Sequence, residues 1–219
     1  MKKIKVLNLY ACLGGNRYKW DEVADIEVTA VEWDEELARL YQERFPNDTV
    51  IVADAHQYLL DHYKEFDFIW SSPPCPSHSR ARYWSSKGGR YAVQYPDLML
   101  YQEIIFLKHF ALEEQSWVVE NVIPYYDPLI EAKKKGRHLY WTNFNLPSDL
   151  KERRTQLCAG TNELNRLCMF HEIDMSSYNG TQSMIKIARN LVDYEAGKNI
   201  FEVYTGQYLA KQITNGLLF

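Results

Sequence analysis

Short apolar segments alternate with amphipathic ones along the first 120 residues of the chain. Extended patterns predict strands at residues 5–9, 26–31, 49–52, 66–70 and 117–119. Between them, apolar positions at helical spacing predict helices at residues 35–45, 55–63 and 95–114. Strands that alternate with helices predict a parallel sheet in an α/β fold.

Each predicted strand is followed by polar, reactive or conformationally special residues. These are Tyr10 to Gly15, Glu32-Trp33, Asp54, Pro74-Cys75 and Glu120-Asn121, in strand order. Ligands of open parallel sheets bind outside the carboxyl ends of the strands. The pattern therefore predicts a ligand site at this edge, although each residue alone also fits a structural role: a turn at Gly14-Gly15, a core position for Trp33, or a helix cap at Asp54.

Cys75 lies between Pro74 and Pro76, directly after the fourth predicted strand. Proline fixes its own φ and biases the preceding residue away from helix, which indicates a stiff loop around the thiol. A buried cysteine that only packs is the structural alternative. We favour a nucleophile presented at the edge of the sheet, because a partner for it follows the next strand.

That partner is Glu120, which ends the apolar run Trp117-Val118-Val119. Burial in such a run disfavours the charged carboxylate and raises its pKa. A carboxylic acid that stays protonated near neutral pH donates a hydrogen bond to a ring nitrogen.

Composition bounds the protein class. The 219 residues suit one domain with a small appendage, and four cysteines without a disulfide-like framework favour a reducing, cytoplasmic compartment. Met1 to Ile4 resembles the start of a signal peptide, but the apolar stretch that follows is broken by Lys5 and Asn8 and ends in Gly14-Gly15, which predicts a strand and a turn. No stretch is long enough to span a membrane. The net charge of −4 does not indicate a globally basic nucleic-acid binder.

A local basic patch follows the thiol. Residues 76–96 contain no acidic side chain, and they interleave Tyr83, Trp84, Tyr91 and Tyr95 with the basic residues Arg80, Arg82, Lys87 and Arg90. Basic groups neutralise phosphates and aromatic faces stack on bases. We expect a mobile loop that closes over a substrate; an ordinary exposed loop is the alternative.

The motif order resembles the cytosine-5 DNA methyltransferase family. The resemblance covers at least residues 4–145 and rests on Leu-Tyr-Ala-x-Leu-Gly-Gly, Val-Glu-Trp-Asp, Ala-Asp-Ala, Ser-Pro-Pro-Cys and Glu-Asn-Val. It implies a Rossmann-like α/β sheet that binds S-adenosyl-L-methionine. It further implies a catalytic domain over 1–145, a small target-recognition region over 146–200 and a C-terminal helix over 201–219 that returns to the catalytic domain.

The resemblance also implies the cofactor site. Glu32 would bind the ribose hydroxyls, Trp33 would lie against the adenine, and Asp54 would accept from the adenine amino group. The other implied cofactor-binding residues are Tyr10, Cys12, Leu13, Gly14, Gly15, Ala55, Pro74 and, near the C-terminus, Gln207.

For the reaction, the resemblance implies Cys75 as the nucleophile at carbon 6 of a flipped-out cytosine. Glu120 would bind ring nitrogen 3, and Arg137 would stabilise the substrate. Contacts to double-stranded DNA would come from Ser79, Arg80, Arg82, Lys87 and Arg90. We expect no metal site, because the spacing of Cys158, Cys168 and His171 matches no strong zinc pattern. We also expect a monomer.

Two departures and two alternatives accompany this resemblance. Cys12 stands where the family usually has glycine, and a side chain there would narrow the cofactor pocket, alter the positive-φ tolerance or point away. Gly206-Gln207 replaces a Gly-Asn pair. The alternatives are an enzyme that methylates RNA or a cytosine nucleotide, and an inactive DNA-binding or regulatory homologue.

Overall fold

A computed structural model describes residues 3–150, 153, 155, 160 and 162–208. Its strands are β1 Ile4–Leu9, β2 Ile26–Glu32, β3 Thr49–Val52, β4 Phe68–Ser71, β5 Ser116–Val122, β6 Lys133–Lys135 and β7 His138–Thr142. Its α-helices are α1 Glu35–Arg44, α2 Ala55–His62, α3 Arg80–Lys87, α4 Met99–Phe110, α5 Glu163–His171, α6 Met184–Asn190 and α7 Tyr194–Tyr204.

The strands form one sheet in the order β3-β2-β1-β4-β5-β7-β6. Strands β1 to β5 pair in parallel, whereas β7 and β6 are antiparallel to their neighbours. The five predicted strands and the α/β class are confirmed. Because β1 lies between β2 and β4, the chain leaves these central strands towards opposite sides, which opens a crevice at their carboxyl ends.

Helices α1 and α2 begin where the sequence supplies an acidic cap. Asp34 accepts hydrogen bonds from the backbone N–H groups of Glu36 and Leu37, and Asp54 accepts one from Gln57. Both caps immediately follow the carboxyl end of a strand. The strand-to-helix turns therefore end at the edge that holds the predicted site.

Two helical layers cover the sheet. On one face, Leu59 of α2 and Ile104 and Leu107 of α4 pack with Leu7, Ile69 and the neighbouring core residues. On the other face, Ile200 and Phe201 of α7 pack with Val6, Phe68 and Trp70. Between β1 and β2 the chain forms only the 3₁₀ turn Trp20–Glu22, so α7 takes the place of a crossover helix on this face.

Three predicted boundaries differ from the structure. The basic segment, expected to be a loop, folds into α3 at Arg80–Lys87, and α4 begins at Met99 rather than 95. Pro96 explains the shorter α4, because a proline disfavours helix at the residue before it. The expected division at residue 200 falls inside α7, and residues 209–219 lie outside the described part of the chain.

Within the described ranges, none of the helices has both the length and the apolar character needed to cross a bilayer.

Candidate active site

The thiol of Cys75, the carboxyl group of Glu120 and the guanidinium of Arg137 act on one another at the carboxyl edge of the sheet. Cys75 follows β4, Glu120 lies in β5, and Arg137 lies in the turn between β6 and β7. The Glu120 carboxylate raises the pKa of the Cys75 thiol and the Arg137 guanidinium lowers it. The structure thus brings together the three residues expected to carry the chemistry.

The Cys75 thiol is partly buried, and burial raises its pKa to about 11, with the neighbouring Glu120 as the second cause. The free protein therefore holds this group mainly as a neutral thiol near neutral pH. Loss of the Glu120 charge or a new positive neighbour would each favour the thiolate.

Glu120 is 5% exposed, and burial raises its pKa to about 7. A hydrogen bond with Ser72 and the positive charge of Arg137 oppose this rise. Nε2 of His138 lies 3.6 Å from Oε1 of Glu120, yet burial and Arg137 lower the pKa of His138 to about 3. His138 is consequently neutral, and the carboxyl group of Glu120 exists as a mixture of its protonated and charged forms at neutral pH.

Backbone hydrogen bonds fix the loop that carries Cys75. The carbonyl oxygen of Cys75 accepts from the N–H groups of His78 and Ser79 at 3.0 and 3.1 Å. The side chain of Asn121 donates to the carbonyl oxygen of Pro73 at 2.9 Å. The thiol is therefore held from both sides of its loop.

The residues expected to hold a nucleoside line the ends of β1 to β3. Glu32 is 4% exposed and accepts hydrogen bonds from the backbone N–H groups of Cys12 and Asp34. Burial raises its pKa. Trp33 is 75% exposed, which excludes a core position and leaves its ring available for stacking. Asp54 caps α2 as the structural alternative supposed, and its side chain also lines a cavity beside Pro74.

The glycines of the β1 loop are required by close packing. A Cβ atom on Gly14 would lie 2.4 Å from Phe45, and one on Gly15 would lie 2.5 Å from the carbonyl oxygen of Val192. Leu13 is buried against α1 and α6, and Ala55 is buried at the start of α2. These residues support the β1 loop from the side that faces the protein interior.

Cys12 adopts a left-handed conformation with φ 47°, as does Tyr10 with φ 56°. The side chain of Cys12 packs against the apolar cluster that contains Leu13, Leu37 and Leu167. Burial and the nearby Glu32 raise the pKa of this thiol to about 12. Two of the three effects expected at this position are therefore supported: Cys12 adopts a positive φ, and its side chain points away from the carboxyl edge of the sheet.

A buried carboxylate that the sequence did not single out lies beneath the edge. Glu103 of α4 is fully buried and accepts hydrogen bonds from Tyr10 at 2.5 Å and Ser71 at 2.6 Å. Nδ1 of His56 lies 3.0 Å from its Oε1. This network joins α2, α4, β1 and β4 around the crevice. A glutamate in an amphipathic helix gave no signal of such a role.

The basic segment lies beside the thiol loop, and three of its four cations are already in contact with protein groups. Arg80 donates to the carbonyl oxygen of Pro124, and Ser79 pairs with the same residue across a β-bridge. Arg82 lies over the ring of Tyr91, and Lys87 lies over Tyr83. Arg90 is exposed, as is Trp84 at 65%.

Gln207 does not join the site. Its side-chain amide donates to the carbonyl oxygen of Val23, which precedes β2 and therefore lies at the opposite edge of the sheet. The expectation fails because α7 runs from the carboxyl edge, where its Gly197 abuts Asn16, to the amino edge, where Tyr204 meets Phe68. Gln207 consequently lies at the amino edge of the sheet, opposite the edge that holds Cys75.

Two further observations concern metals and cavity volume. The described residues contain no group of three or more side chains suited to a metal ion, and Cys158 lies outside the described residues. A cavity of about 670 Å³ lies between α4 and the β5–β7 strands, but no expected site residue lines it. The candidate site is therefore identified by the reactive residues at the carboxyl edge of the sheet and not by the size of a cavity.

The fold and the site define a Rossmann-like α/β protein with a thiol and a protonatable carboxyl group at the switch point of its sheet. Residues 4–104 match the family model described as C-5 cytosine-specific DNA methylase. Type II methyltransferase M.HgiCII of Herpetosiphon aurantiacus is 24% identical over 154 residues, which are 66% of this chain and 34% of that protein. The chain thus spans about a third of this curated relative's length.

Solved structures show partial similarity. A SAM-dependent methyltransferase of Agrobacterium tumefaciens is 17% identical and matches 55% of this chain and 39% of that chain, with a TM-score of 0.39. A mutant DNMT2 of Spodoptera frugiperda is 26% identical and matches 55% of this chain and 36% of that chain, with a TM-score of 0.38.

Proposed function

We propose that the protein transfers a methyl group from S-adenosyl-L-methionine to carbon 5 of cytosine in double-stranded DNA. The observation that carries this proposal is the placement of Cys75 and Glu120 at the carboxyl ends of the neighbouring strands β4 and β5, where the charge of Arg137 acts on both. A relative's name as a Type II methyltransferase supports the same reaction class.

Cys75 acts as the nucleophile. Its sulfur forms a bond to carbon 6 of the cytosine, and the electron pair of the 5,6 double bond makes carbon 5 nucleophilic, so that carbon 5 would take the methyl group and S-adenosylhomocysteine would be released. Transfer of the carbon-5 proton to water then restores the double bond and breaks the carbon–sulfur bond. The thiolate is regenerated, so no oxidant or reductant is required.

Glu120 stabilises the charge that develops on the pyrimidine ring. In its protonated form it donates to ring nitrogen 3, and its pKa of about 7 makes that form available at neutral pH. Protonation of Glu120 also removes the negative charge that raises the pKa of Cys75. The same proton thus prepares both the acid and the nucleophile.

The residues at the ends of β1 to β4 fit the cofactor, which supplies the methyl group when bound. The exposed ring of Trp33 offers a stacking face, Glu32 offers a carboxylate to the ribose hydroxyls, and Asp54 lines a ring-sized cavity. The backbone N–H groups that hold Glu32 fix its carboxylate in place before binding.

The target cytosine leaves the duplex to reach Cys75, because carbon 6 is inaccessible within stacked base pairs. The exposed Trp84 and Arg90 beside the thiol loop suit contacts to the displaced strand or to its phosphates. Arg80 and Arg82 act first as supports of α3, since both already contact protein groups.

Covalent trapping tests the proposal. Purified protein is incubated with S-adenosyl-L-methionine and duplex DNA that contains 5-fluorocytosine in varied sequence contexts. The fluorine at carbon 5 cannot be removed as a proton, so the reaction stops as a protein–DNA adduct. We expect an adduct in the wild type and none in Cys75→Ala, which keeps the site's other groups.

The alternatives give different outcomes. If an adduct forms only with 5-fluorocytosine in RNA or in a free nucleotide, then that molecule, and not DNA, is the substrate. Absence of every adduct, together with measurable cofactor binding, would contradict the covalent mechanism. Absence of both adduct and cofactor binding would favour a non-enzymatic homologue.

A further inference from the structure

The carboxyl group of Glu120 has a polar side chain beside it on each neighbouring strand. Ser71 pairs with Val119 in the parallel register of β4 and β5. The next residue of each strand continues this register, which sets Ser72 beside Glu120 on the same face of the sheet. On the other side, Nε2 of His138 in β7 lies 3.6 Å from Oε1 of Glu120. The carboxyl group is thus enclosed between two polar side chains.

Trp70 determines the direction in which Ser72 donates its proton. The two side chains lie on the same face of β4, and Nε1–H of Trp70 donates to Oγ of Ser72 at 2.9 Å. Because an indole N–H is only a donor, Ser72 accepts from it and keeps its own proton for another partner. A hydroxyl group that accepts one hydrogen bond becomes a stronger donor in the next. Ser72 directs that next bond to the carboxyl group of Glu120.

The other titratable groups around Glu120 act on it differently. His138 is too distant at 3.6 Å for a hydrogen bond, and its pKa of about 3 keeps it uncharged. Arg137 lowers the pKa of Glu120 through its charge, and Cys75 is mainly a neutral thiol near neutral pH. Tyr140, the partner of Glu120 in the β5–β7 ladder, packs its ring into the core. Ser72 differs from all of these, because it holds the carboxyl group by a directed hydrogen bond.

We propose that Ser72 is a positioning residue, which holds one oxygen of the Glu120 carboxyl group and thereby places the acid proton on the other oxygen, towards the target base. This inference rests on the proposed function. A carbonyl oxygen is a better acceptor than the oxygen of an O–H group, so the oxygen that accepts from Ser72 becomes the carbonyl oxygen. The remaining oxygen carries the proton and donates it in the hydrogen bond to ring nitrogen 3. The acid is therefore oriented before the base arrives.

Loss of the Ser72 hydroxyl group should have two separate effects. The charged carboxylate loses a hydrogen bond that stabilises it, so the pKa of Glu120 should rise. The protonated carboxyl group loses its fixed orientation, so turnover should fall even at a pH where Glu120 is fully protonated. A serine that only supports the fold would produce neither effect in a folded variant.

Carbon-13 NMR of the full chain, with glutamate labelled at carbon δ, measures the first effect. The signal of Glu120 is the one that is missing from Glu120→Gln, and its position is followed as the pH is raised. We expect Ser72→Ala to move the titration midpoint upward by about 0.5–1 pH unit. Methyl transfer to duplex DNA of varied sequence measures the second effect. The turnover number of Ser72→Ala at about pH 6 should fall roughly tenfold, with an unchanged KM for S-adenosyl-L-methionine.

Three further variants separate positioning from folding. Ser72→Thr keeps the hydroxyl group and should restore the midpoint and most of the turnover. Trp70→Phe keeps a ring in the core but removes the N–H that orients Ser72, so the midpoint should rise by less than in Ser72→Ala. Ser71→Ala is the matched control, because Ser71 donates to the buried carboxylate of Glu103 on the opposite face of β4. It should leave the midpoint of Glu120 in place, and thermal unfolding verifies that each variant is folded.

An unchanged midpoint in folded Ser72→Ala would overturn the inference, and so would a raised midpoint with full turnover at about pH 6. Both results would leave the proposed function standing, because the wild type would still methylate DNA. A wild type that transfers no methyl group to any of the DNA sequences would contradict the proposed function, and the inference with it. The two failures are therefore distinguishable.

Discussion

The side-chain amide of Asn121 donates a hydrogen bond to the carbonyl oxygen of Pro73 over 2.9 Å, which ties the end of β5 to the loop of Cys75. The same side chain accepts from the backbone N–H of Val122. Asn121 is 2% exposed, so both bonds are shielded from water. The residue beside the proposed acid thus positions the proposed nucleophile.

Asn121→Ala should lower the turnover number at least about tenfold and leave cofactor affinity unchanged, because the thiol loop loses its anchor. The unpaired carbonyl of Pro73 should also cost about 1–3 kcal/mol of stability. Asn143→Ala is the matched control, since Asn143 likewise donates to one backbone carbonyl and accepts from one N–H, but at the other end of β5. Steady-state kinetics, measured where both variants are fully folded, gives the two turnover numbers. Equal turnover numbers in Asn121→Ala and Asn143→Ala would contradict a positioning role for Asn121.

Glu120→Gln should increase the reactivity of Cys75 in the free protein. Loss of the carboxylate charge lowers the pKa of the thiol, so more thiolate exists at pH 8 and alkylation by iodoacetamide should be roughly three- to tenfold faster. Peptide-resolved mass spectrometry distinguishes Cys75 from the other thiols. Glu32→Gln, which removes the charge beside Cys12, should leave the rate at Cys75 unaltered. A slower reaction in Glu120→Gln would contradict the electrostatic coupling.

The same carboxyl group should make stability depend on pH. Its folded-state pKa of about 7 lies above its ordinary value of 4.5, so the folded state binds the proton more tightly than the unfolded chain. The stabilisation is complete below about pH 4.5 and is lost as pH rises through 7. Relative to Glu120→Gln, wild type should lose roughly 2 kcal/mol between pH 5 and pH 8.5. Urea unfolding of both proteins at the two pH values measures this difference, and parallel pH curves would exclude it.

Substitutions of Cys12 separate its conformation from its volume. Cys12→Gly should leave cofactor affinity within about twofold, because the thiol packs against the Leu13 cluster while its backbone N–H remains bonded to Glu32. Cys12→Val should destabilise the protein by about 1–3 kcal/mol, since a β-branched residue is strained at φ 47°. Calorimetry and thermal unfolding measure the two effects. Tighter cofactor binding by Cys12→Gly would indicate that the thiol narrows the pocket after all.

The central strands were predictable because their burial on both faces leaves continuous apolar runs in the sequence, as in Phe68–Ser71. The edge strand Lys133–Lys135 was not, because three lysines in a row carry no hydrophobic pattern and owe their extended form to pairing with β7. Helix α3 was missed for a related reason: none of its residues is buried, so it lacks an apolar stripe.

Site residues that follow strands were predictable from their position in the chain, as Cys75 and Glu120 illustrate. Glu103 was not, because its partners Tyr10 and His56 are 93 and 47 residues away and only the folded chain brings them together. Gln207 was predicted to join the site and does not. A short motif match cannot reveal which edge of the sheet the residues after α7 will reach.

The covering of one sheet face by α7 has a consequence for how the protein is made. Nε1 of Trp20 donates to the carbonyl oxygen of Gly197 across 177 residues of sequence, and Phe201 stacks on the same indole. During synthesis, the strands that carry the methylase match emerge long before the helix that covers them. Their apolar face, with Val6, Phe68 and Trp70, stays open to water and to other chains until the ribosome has passed α7. The nascent chain therefore exposes this apolar face at a stage when the residues of the proposed site have already been synthesised.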